Sequence, residues 1–374
     1  MSIRAVLVVG AGIAGSTVAA LLGRRGWAVT VLERSGGRRS SGSPVDVRGA
    51  ALRIVVRMGL LPPIRARATR TTRLAAVDAG GAVIGWIPTQ PGPRAIEIPR
   101  GDLAAILTAA AAEHAQIRYG DTVTDLRADG DGVEVSFERG AARRFDLVIG
   151  AEGLHSTVRR LAFGPEDRFA THLGLFIATL MLETPAADPT TVLVHSAPGR
   201  AAIVHPTNGR EGAAFIFRHA PLSAVATRDP GARLDLLTTT YDGLRWRVPE
   251  LLDRFRSADD IYFDSVSRVR VDRWSRGRIV LVGDAANCVS LLGEGSSMAV
   301  AGAATLAAHL LRRPDDIEEA LRGYEQVHRR RLRPHHAGAA LAGHLLVPAS
   351  ATGIAARDVL FRTCAAVGRL TPDR

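Results

Sequence analysis

The sequence predicts an α/β fold: a Rossmann-like dinucleotide-binding domain with an inserted β-sheet layer and C-terminal helices. Three observations carry that prediction. Ala5–Val9 is a continuous apolar run that enters Gly10-x-Gly12-x-x-Gly15, then a helical pattern, then a second apolar run ending at Glu33. Two more apolar runs end in glycine-bearing turns far down the chain, Asp146–Gly153 and Arg278–Asp284. Between them, residues 171–271 read as short runs with the alternation of half-buried strands.

Each element follows from local pattern. Ala5–Val9 is a buried parallel strand, Ile13–Arg25 a helix, and Ala28–Glu33 the second strand of a βαβ unit. An Arg/Gly/Ser-rich loop, Arg34–Pro44, precedes a helix from Gly49 to Met58. Val77–Pro99 has the Gly and Pro punctuation of β-structure, and Asp102–His114 is a helix that Asp102 can cap. Val123–Phe145 is a β-meander turning at Asp129–Gly132, followed by the strand Leu147–Ile149. Strands at Leu173–Leu182, Val192–His195, Ala213–Phe217 and Ile261–Val271 surround a helical patch near Leu234–Arg247. Ile279–Val282 returns to the first domain, and helices follow at Ser296–Leu311, Glu318–Arg333 and within Ala337–Leu370. The expected division is a discontinuous cofactor domain (1–75, 100–170 and 271–345), a substrate layer (76–99 and 171–270) and a C-terminal helical segment (346–374).

Composition narrows the function classes. With 374 residues and 47% hydrophobic content the chain can bury a sizeable core. All 48 basic residues are arginine and the formal charge is +11, a composition that fits a GC-rich genome better than phosphate-chain binding. The densest cluster, His328–His336, falls at a helix end with no aromatic residues interleaved, so no nucleic-acid partner is expected. Cys288 and Cys364 form neither a disulfide framework nor a metal-ligand spacing; no metal is expected, and a reducing, cytoplasmic location is. No stretch approaches the roughly 20 apolar residues of a membrane span. Glycines at 10, 12 and 15 make the N-terminal apolar run a strand and turn rather than a signal peptide.

The motifs have specific physical requirements. In Gly10-Ala11-Gly12-Ile13-Ala14-Gly15 the glycines allow a tight turn, close approach of a pyrophosphate, and close packing of helix on strand. The helix N-terminus then offers free N–H groups and the positive end of its dipole to the diphosphate. Glu33, with Arg34 beside it, is placed to hold the adenosine ribose. This motif alone does not separate NAD from FAD. Asp284 supplies a carboxylate suited to a ribityl chain, and Gly293-Glu-Gly295-Ser296 opens a helix that can face an anionic flavin edge. The three segments in this order point to FAD.

On these motifs the sequence resembles the FAD-dependent aromatic monooxygenases of the p-hydroxybenzoate hydroxylase type, and is similar to bacterial relatives that include the tetracycline-inactivating monooxygenases. The resemblance covers nearly the whole chain, least in Thr171–Ser257 and after Arg333. It implies that NADPH or NADH reduces the FAD and that O2 adds at the flavin C4a. The hydroperoxide then gives one oxygen atom to an aromatic or polyketide-like small molecule. It also implies that Asp284 binds the ribityl hydroxyl, that Arg100 contacts FAD, that Asp46 lies on the flavin side, and that Arg39 meets NADPH. The middle motif, usually Asp-Gly in the family, is Glu152-Gly153 here. The segment Asn287–Leu292 lacks the prolines common in relatives, which bears on oxygen chemistry and keeps two alternatives in view: a dehydrogenase or reductase on the same scaffold, and a flavin-binding protein without turnover. Phe176, His195, His205, Phe215 and Phe217 are the expected substrate contacts, no catalytic side chain is assigned, and the protein is expected to be a monomer or homodimer.

Overall fold

The computed structural model describes residues 4–37, 43–89, 95–222, 229–259, 261–289, 294–333 and 345–370. Along the chain run β1 (Ala5–Val9), α1 (Ile13–Gly23), β2 (Ala28–Glu33), β3 (Pro44–Arg48), α2 (Ala50–Arg57), α3 (Leu61–Ala66), β4 (Arg73–Val77), β5 (Val83–Pro88) and β6 (Ala95–Pro99). Next come α4 (Arg100–Ala112), β7 (Ala115–Tyr119), β8 (Val123–Ala128), β9 (Val133–Phe137), β10 (Arg143–Phe145), β11 (Leu147–Gly150) and α5 (Thr157–Ala162). The inserted part holds β12 (Ala170–Pro185), β13 (Thr191–Ala197), β14 (Arg200–Thr207), β15 (Arg210–Arg218), α6 (Pro230–Tyr241), α7 (Val248–Arg256) and β16 (Tyr262–Arg270). The chain ends with β17 (Ser275–Arg276), β18 (Ile279–Leu281), β19 (Asn287–Val289), α8 (Glu294–Arg312), α9 (Ile317–Leu332) and α10 (Ala351–Leu370).

A six-stranded sheet, ordered β17-β18-β11-β1-β2-β7, forms the cofactor half, all parallel except for β17. A parallel sheet is covered on both faces, which is why its strands read as unbroken apolar runs. Val6, Leu7 and Val8 have no exposed surface. α1 is apolar almost all round because it packs against both α4 and α8. The meander β8–β10 forms its own three-stranded sheet as the sequence predicts.

The second large sheet has eight strands, ordered β19-β16-β12-β15-β14-β13-β4-β5. Its two faces differ. One carries Phe176, Phe215, Phe217 and Phe263 under α6 and α7. The other carries Leu175, Val194, Ala201 and Ile216, on which Val347 and Phe361 pack from the C-terminal segment. α10 approaches β5 so closely that a Cβ on Gly85 would lie 2.6 Å from the backbone of Phe361 and Arg362.

The structure alters several sequence expectations. β6 pairs with β3 in a separate two-stranded ribbon, while β4 and β19 join the eight-stranded sheet. β7 and β14 have no counterpart in the sequence reading. The helical patch near Leu234–Arg247 is two helices, parted at 242–247, where Trp246 takes a positive φ of 57°. α4 starts at Arg100 with Pro99 as its N-cap, so Asp102 sits inside the first turn and accepts a hydrogen bond from the Asn208 side chain instead of capping. Most of the expected helical stretch before residue 345 lies outside the described residues.

Candidate cofactor and substrate site

The turn between β1 and α1 forms one wall of a cleft. Gly10 takes φ +104°, and a Cβ there would sit 2.6 Å from the Ala151 carbonyl oxygen. A Cβ on Gly15 would lie 1.9 Å from the Gly10 oxygen, so helix and strand close up only because that Cβ is missing. Gly12 is different. It has ordinary extended dihedrals and a Cβ there would meet nothing within 4 Å, since it opens into the cleft. The first turn of α1 has no side-chain cap. Gly12, Ile13 and Ala14 line a cleft at an uncapped helix N-terminus, a setting made for a phosphate.

Glu33, at the end of β2, closes one end. Its Oε2 accepts from the Ala11 amide at 2.9 Å and its Oε1 from the Ser35 amide at 2.9 Å, which fixes the carboxylate beside the turn. Arg34 is exposed and does not line the cleft. Arg39 lies outside the described residues.

Asp284 faces Arg100 across the cleft, its Oδ2 3.9 Å from a guanidinium nitrogen. Gly295, Ser296 and Ala299 of α8 complete this end. The start of α8 is held by Ser297, whose hydroxyl donates to the Asp46 carbonyl at 2.7 Å and accepts from the Arg48 amide at 3.0 Å. Asp46 therefore meets the site through its backbone and is not among the cleft-lining residues. Burial pushes its carboxyl up from the usual range, and Arg48 works against that shift.

The middle motif contributes more than the sequence reading assigned to it. Ala151, Glu152 and Gly153 line the cleft. Glu152 accepts from the Ser156 hydroxyl at 2.7 Å and the Val158 amide at 2.9 Å, and burial raises its carboxyl. The longer side chain keeps the acid facing inward as a brace for α5. Arg159 is fully buried and donates to Ala285 O at 3.2 Å and Leu154 O at 2.5 Å, joining this motif to the Gly283–Ala285 turn. His155 bridges Glu166 at 2.9 Å and Asp264 at 3.2 Å, linking the motif to β16 of the large sheet. Hydrogen bonds to Asp264 and Glu166 push its imidazolium up to about 10. The sequence signal for these residues was the motif itself; their partners are remote in the chain and carry no pattern.

Strand register sorts the expected substrate contacts. Ala178, Phe215, Ala202, His195 and Val77 form one cross-strand row, and Phe176 pairs with Phe217 two residues along, on the same face. That face is sealed by α6 and α7. Phe176, Phe215 and Phe217 are at most 1% exposed, and Phe215 packs on Tyr241 and Phe255 with centroids 4.3 and 5.0 Å away. His195 is 7% exposed, lies against Trp246, and bonds the Val77 carbonyl through Nδ1. These four are core residues of that sealed face. His205 alone among the five lies on the opposite face, with Ala201 and Ile203, and reaches Glu97 of β6 at 3.4 Å. Tyr262 and Asp264 of β16 share that side by register with Thr179 and Ile177. This is the face turned toward the cofactor half.

Among the described residues no group of three His, Cys, Asp or Glu side chains could hold a metal ion, and no helix is long and apolar enough to cross a membrane.

Comparison with known proteins agrees with this architecture. The FAD binding domain family model matches residues 4–317. The uncharacterized protein Rv1260 of Mycobacterium tuberculosis (strain ATCC 25618 / H37Rv) is 39% identical over 339 residues, covering 86% of this chain and 88% of that protein. A flavin-dependent monooxygenase of Legionella longbeachae serogroup 1 (strain NSW150) is 32% identical over 315 residues, covering 82% and 80%. The crystal structure of tetracycline destructase Tet(51) superimposes with a TM-score of 0.83 at 28% identity, covering all of both chains. A match over most of the chain, on a fold whose glycine turn and Gly-Asp turn share one cleft, makes this chain a member of the FAD binding domain family and an FAD-dependent monooxygenase.

Proposed function

We propose that the protein is an NAD(P)H-dependent flavoprotein monooxygenase that inserts one oxygen atom from O2 into an aromatic or polyketide-like small molecule. The observation that carries this reading is the cleft's position. It is bounded by the uncapped N-terminus of α1 and by Asp284, and the less aromatic face of the eight-stranded sheet is tied to its rim where Asp264 bonds His155, two residues after the cleft-lining Gly153. A cofactor there has polar anchors in Glu33, Arg100 and Asp284, and the neighbouring sheet face supplies the largely apolar wall that small-molecule sites require.

The residues present fit FAD. The diphosphate belongs on the first turn of α1, where Gly12 leaves the space that a Cβ would fill. Glu33 takes the ribose hydroxyls, Asp284 the ribityl hydroxyls, and Arg100 balances the Asp284 carboxylate. The N-terminal turn of α8, with Gly295 and Ser296, faces the ring, where its dipole favours negative charge. Bound FAD supplies the redox and oxygen chemistry; the chain binds, orients and keeps water out. Among the described residues there is one glycine-rich βαβ turn of this type, so the nicotinamide must visit by way of the same cleft.

Anaerobic titration of the FAD-loaded protein with NADPH, then NADH, tests the reading. Bleaching of the visible flavin band followed by substrate-coupled oxygen uptake is expected. A band that no nicotinamide bleaches, with or without a phenolic panel, overturns it.

A further inference from the structure

We propose that Glu97 and His205 form an acid–base pair that removes the proton from an acidic hydroxyl, phenol or enol, of the substrate, with His205 as proton acceptor and Glu97 as its positioning residue. The proposal rests on the monooxygenase reading above.

His205 belongs to β14 on the cofactor-facing side of the large sheet, and its neighbours on that side are Ala201 and Ile203. A titratable ring thus stands in an apolar stretch of wall. Its Nδ1 is 2.8 Å from the Pro206 carbonyl. A carbonyl only accepts, so Nδ1 carries the hydrogen and Nε2 is the atom left to gain or release a proton. Nε2 lies 3.4 Å from Glu97 Oε1. That same oxygen accepts hydroxyl hydrogens from Thr69 and Thr71. Burial by itself would raise the Glu97 carboxyl, but the bonds from His205, Thr69 and Thr71 outweigh it and hold the group below the usual range. A fixed carboxylate therefore waits beside Nε2 to stabilise the imidazolium once it forms.

Glu97 lies three residues before Arg100, which lines the cleft. Glu97 is the register partner of Asp46 across β3 and β6, and the Asp46 carbonyl holds Ser297 at the start of α8. The charged groups around the pair are Asp46 and Arg48 of β3, Asp102 of α4 with Arg67, and Arg210 and Glu211 of β15. In the step, the substrate O–H bond breaks, an Nε2–H bond forms, and the electron pair stays on the substrate oxygen. The resulting phenolate or enolate is more electron-rich at the carbon that receives oxygen. The imidazolium returns the proton to the product, so the step is redox-neutral.

The test uses the full-length, FAD-loaded protein and chromophoric nitrophenols, whose neutral and ionised forms differ in visible absorption. Wild type is expected to bind a nitrophenol in its ionised form below the pH at which the free probe ionises. His205→Gln should bind it neutral and lose roughly 100- to 10,000-fold in turnover of ionisable substrates. Glu97→Gln should bind it with the ionisation moved to higher pH. If the pair is only a strap between the sheet and β6, both variants lower the melting temperature yet ionise the probe as wild type does, and the proposal fails. It fails equally if wild type binds no nitrophenol as the anion. NADPH bleaching measured on the same samples separates the two ideas: normal bleaching without probe ionisation sinks the acid–base pair alone, whereas absent bleaching sinks the monooxygenase reading.

Discussion

Gly12 and Gly15 sit three residues apart in one turn, and the structure predicts opposite consequences for replacing them with alanine. Gly12 has φ −75° and ψ −171°, dihedrals any residue adopts, and its Cβ would meet nothing within 4 Å. Alanine at this N-cap costs about 0.5–1 kcal/mol, offset by a similar gain from the less flexible unfolded chain. The apoprotein of Gly12→Ala should therefore melt within a degree or two of wild type. Its methyl projects into the space assigned to the diphosphate, and overpacking of about 1–3 kcal/mol corresponds to FAD binding weaker by roughly 5- to 140-fold. At Gly15 the added Cβ would stand 1.9 Å from the Gly10 oxygen and 3.2 Å from the Ala151 Cβ, so α1 must lift off β1 before any cofactor is considered. Gly15→Ala should lower the apoprotein melting temperature itself. Calorimetry on flavin-stripped protein and quenching of FAD fluorescence measure the two effects separately. A Gly12→Ala protein that binds FAD as wild type does, or an apoprotein destabilised as much as Gly15→Ala, would refute the assignment of that space.

Three further perturbations test the surrounding frame. The His155 imidazolium is raised from an ordinary value near 6.5 to about 10, chiefly by Asp264 and then by Glu166. A raised value stabilises the fold fully below about 6.5 and loses that contribution as pH climbs through 10. With the side chain 54% exposed the contribution is at most about 1 kcal/mol, so the melting gap between wild type and His155→Gln should be widest near pH 6 and shrink toward pH 10; a gap that widens on the alkaline side contradicts it. Ser297→Ala removes a buried hydroxyl that satisfies both the Asp46 carbonyl and the Arg48 amide, and should cost about 1–3 kcal/mol in denaturant titrations and weaken FAD binding. Unchanged FAD affinity would mean that the α8 terminus does not depend on this tie. Gly85→Ala forces α10 off β5, and faster proteolysis of the C-terminal helix is expected; equal cleavage rates would count against the close approach.

The cofactor half was legible because its constraints are local. Val6–Val9, Gly10–Gly15 and Glu33 lie within one βαβ unit, and each answers to a rule about a strand, a turn or a helix end. The meander was readable for the same reason, its Asp129–Gly132 turn being contiguous with both strands. Legibility ended where partners are distant. β3, between the loop ending at Pro44 and the helix from Gly49, has no signal of its own because its stability comes from β6, about fifty residues on, and β14 has none because Arg200–Thr207 mixes Arg, His, Pro and Thr with its apolar residues. Arg159 could be quoted from its motif, but nothing nearby in sequence announces the Ala285 carbonyl that it binds.

The aromatic residues of the sheet gather on one face for a physical reason. A phenylalanine side chain buries a large apolar area, so folding draws it to whichever face can be sealed completely. In this sheet that face is the one under α6 and α7, where Phe215 meets Tyr241 and Phe255, Phe217 meets Tyr241, and Phe176 stacks on Phe217. The opposite face carries smaller residues, Ile177, Ala201, Ile203, Ala214 and Ile216, together with the polar His205, Tyr262 and Asp264, and Val347 and Phe361 of the C-terminal segment cover only part of it. The two faces should respond oppositely. Phe215→Ala should cost about 3–5 kcal/mol of stability while leaving the ranking of substrates intact. Ile203→Phe should leave FAD affinity intact, raise KM for bulky substrates, and spare small ones. The comparison needs only melting curves and KM values across substrates of graded size. A changed substrate ranking in Phe215→Ala, with none in Ile203→Phe, would reverse the assignment of the sheet's faces.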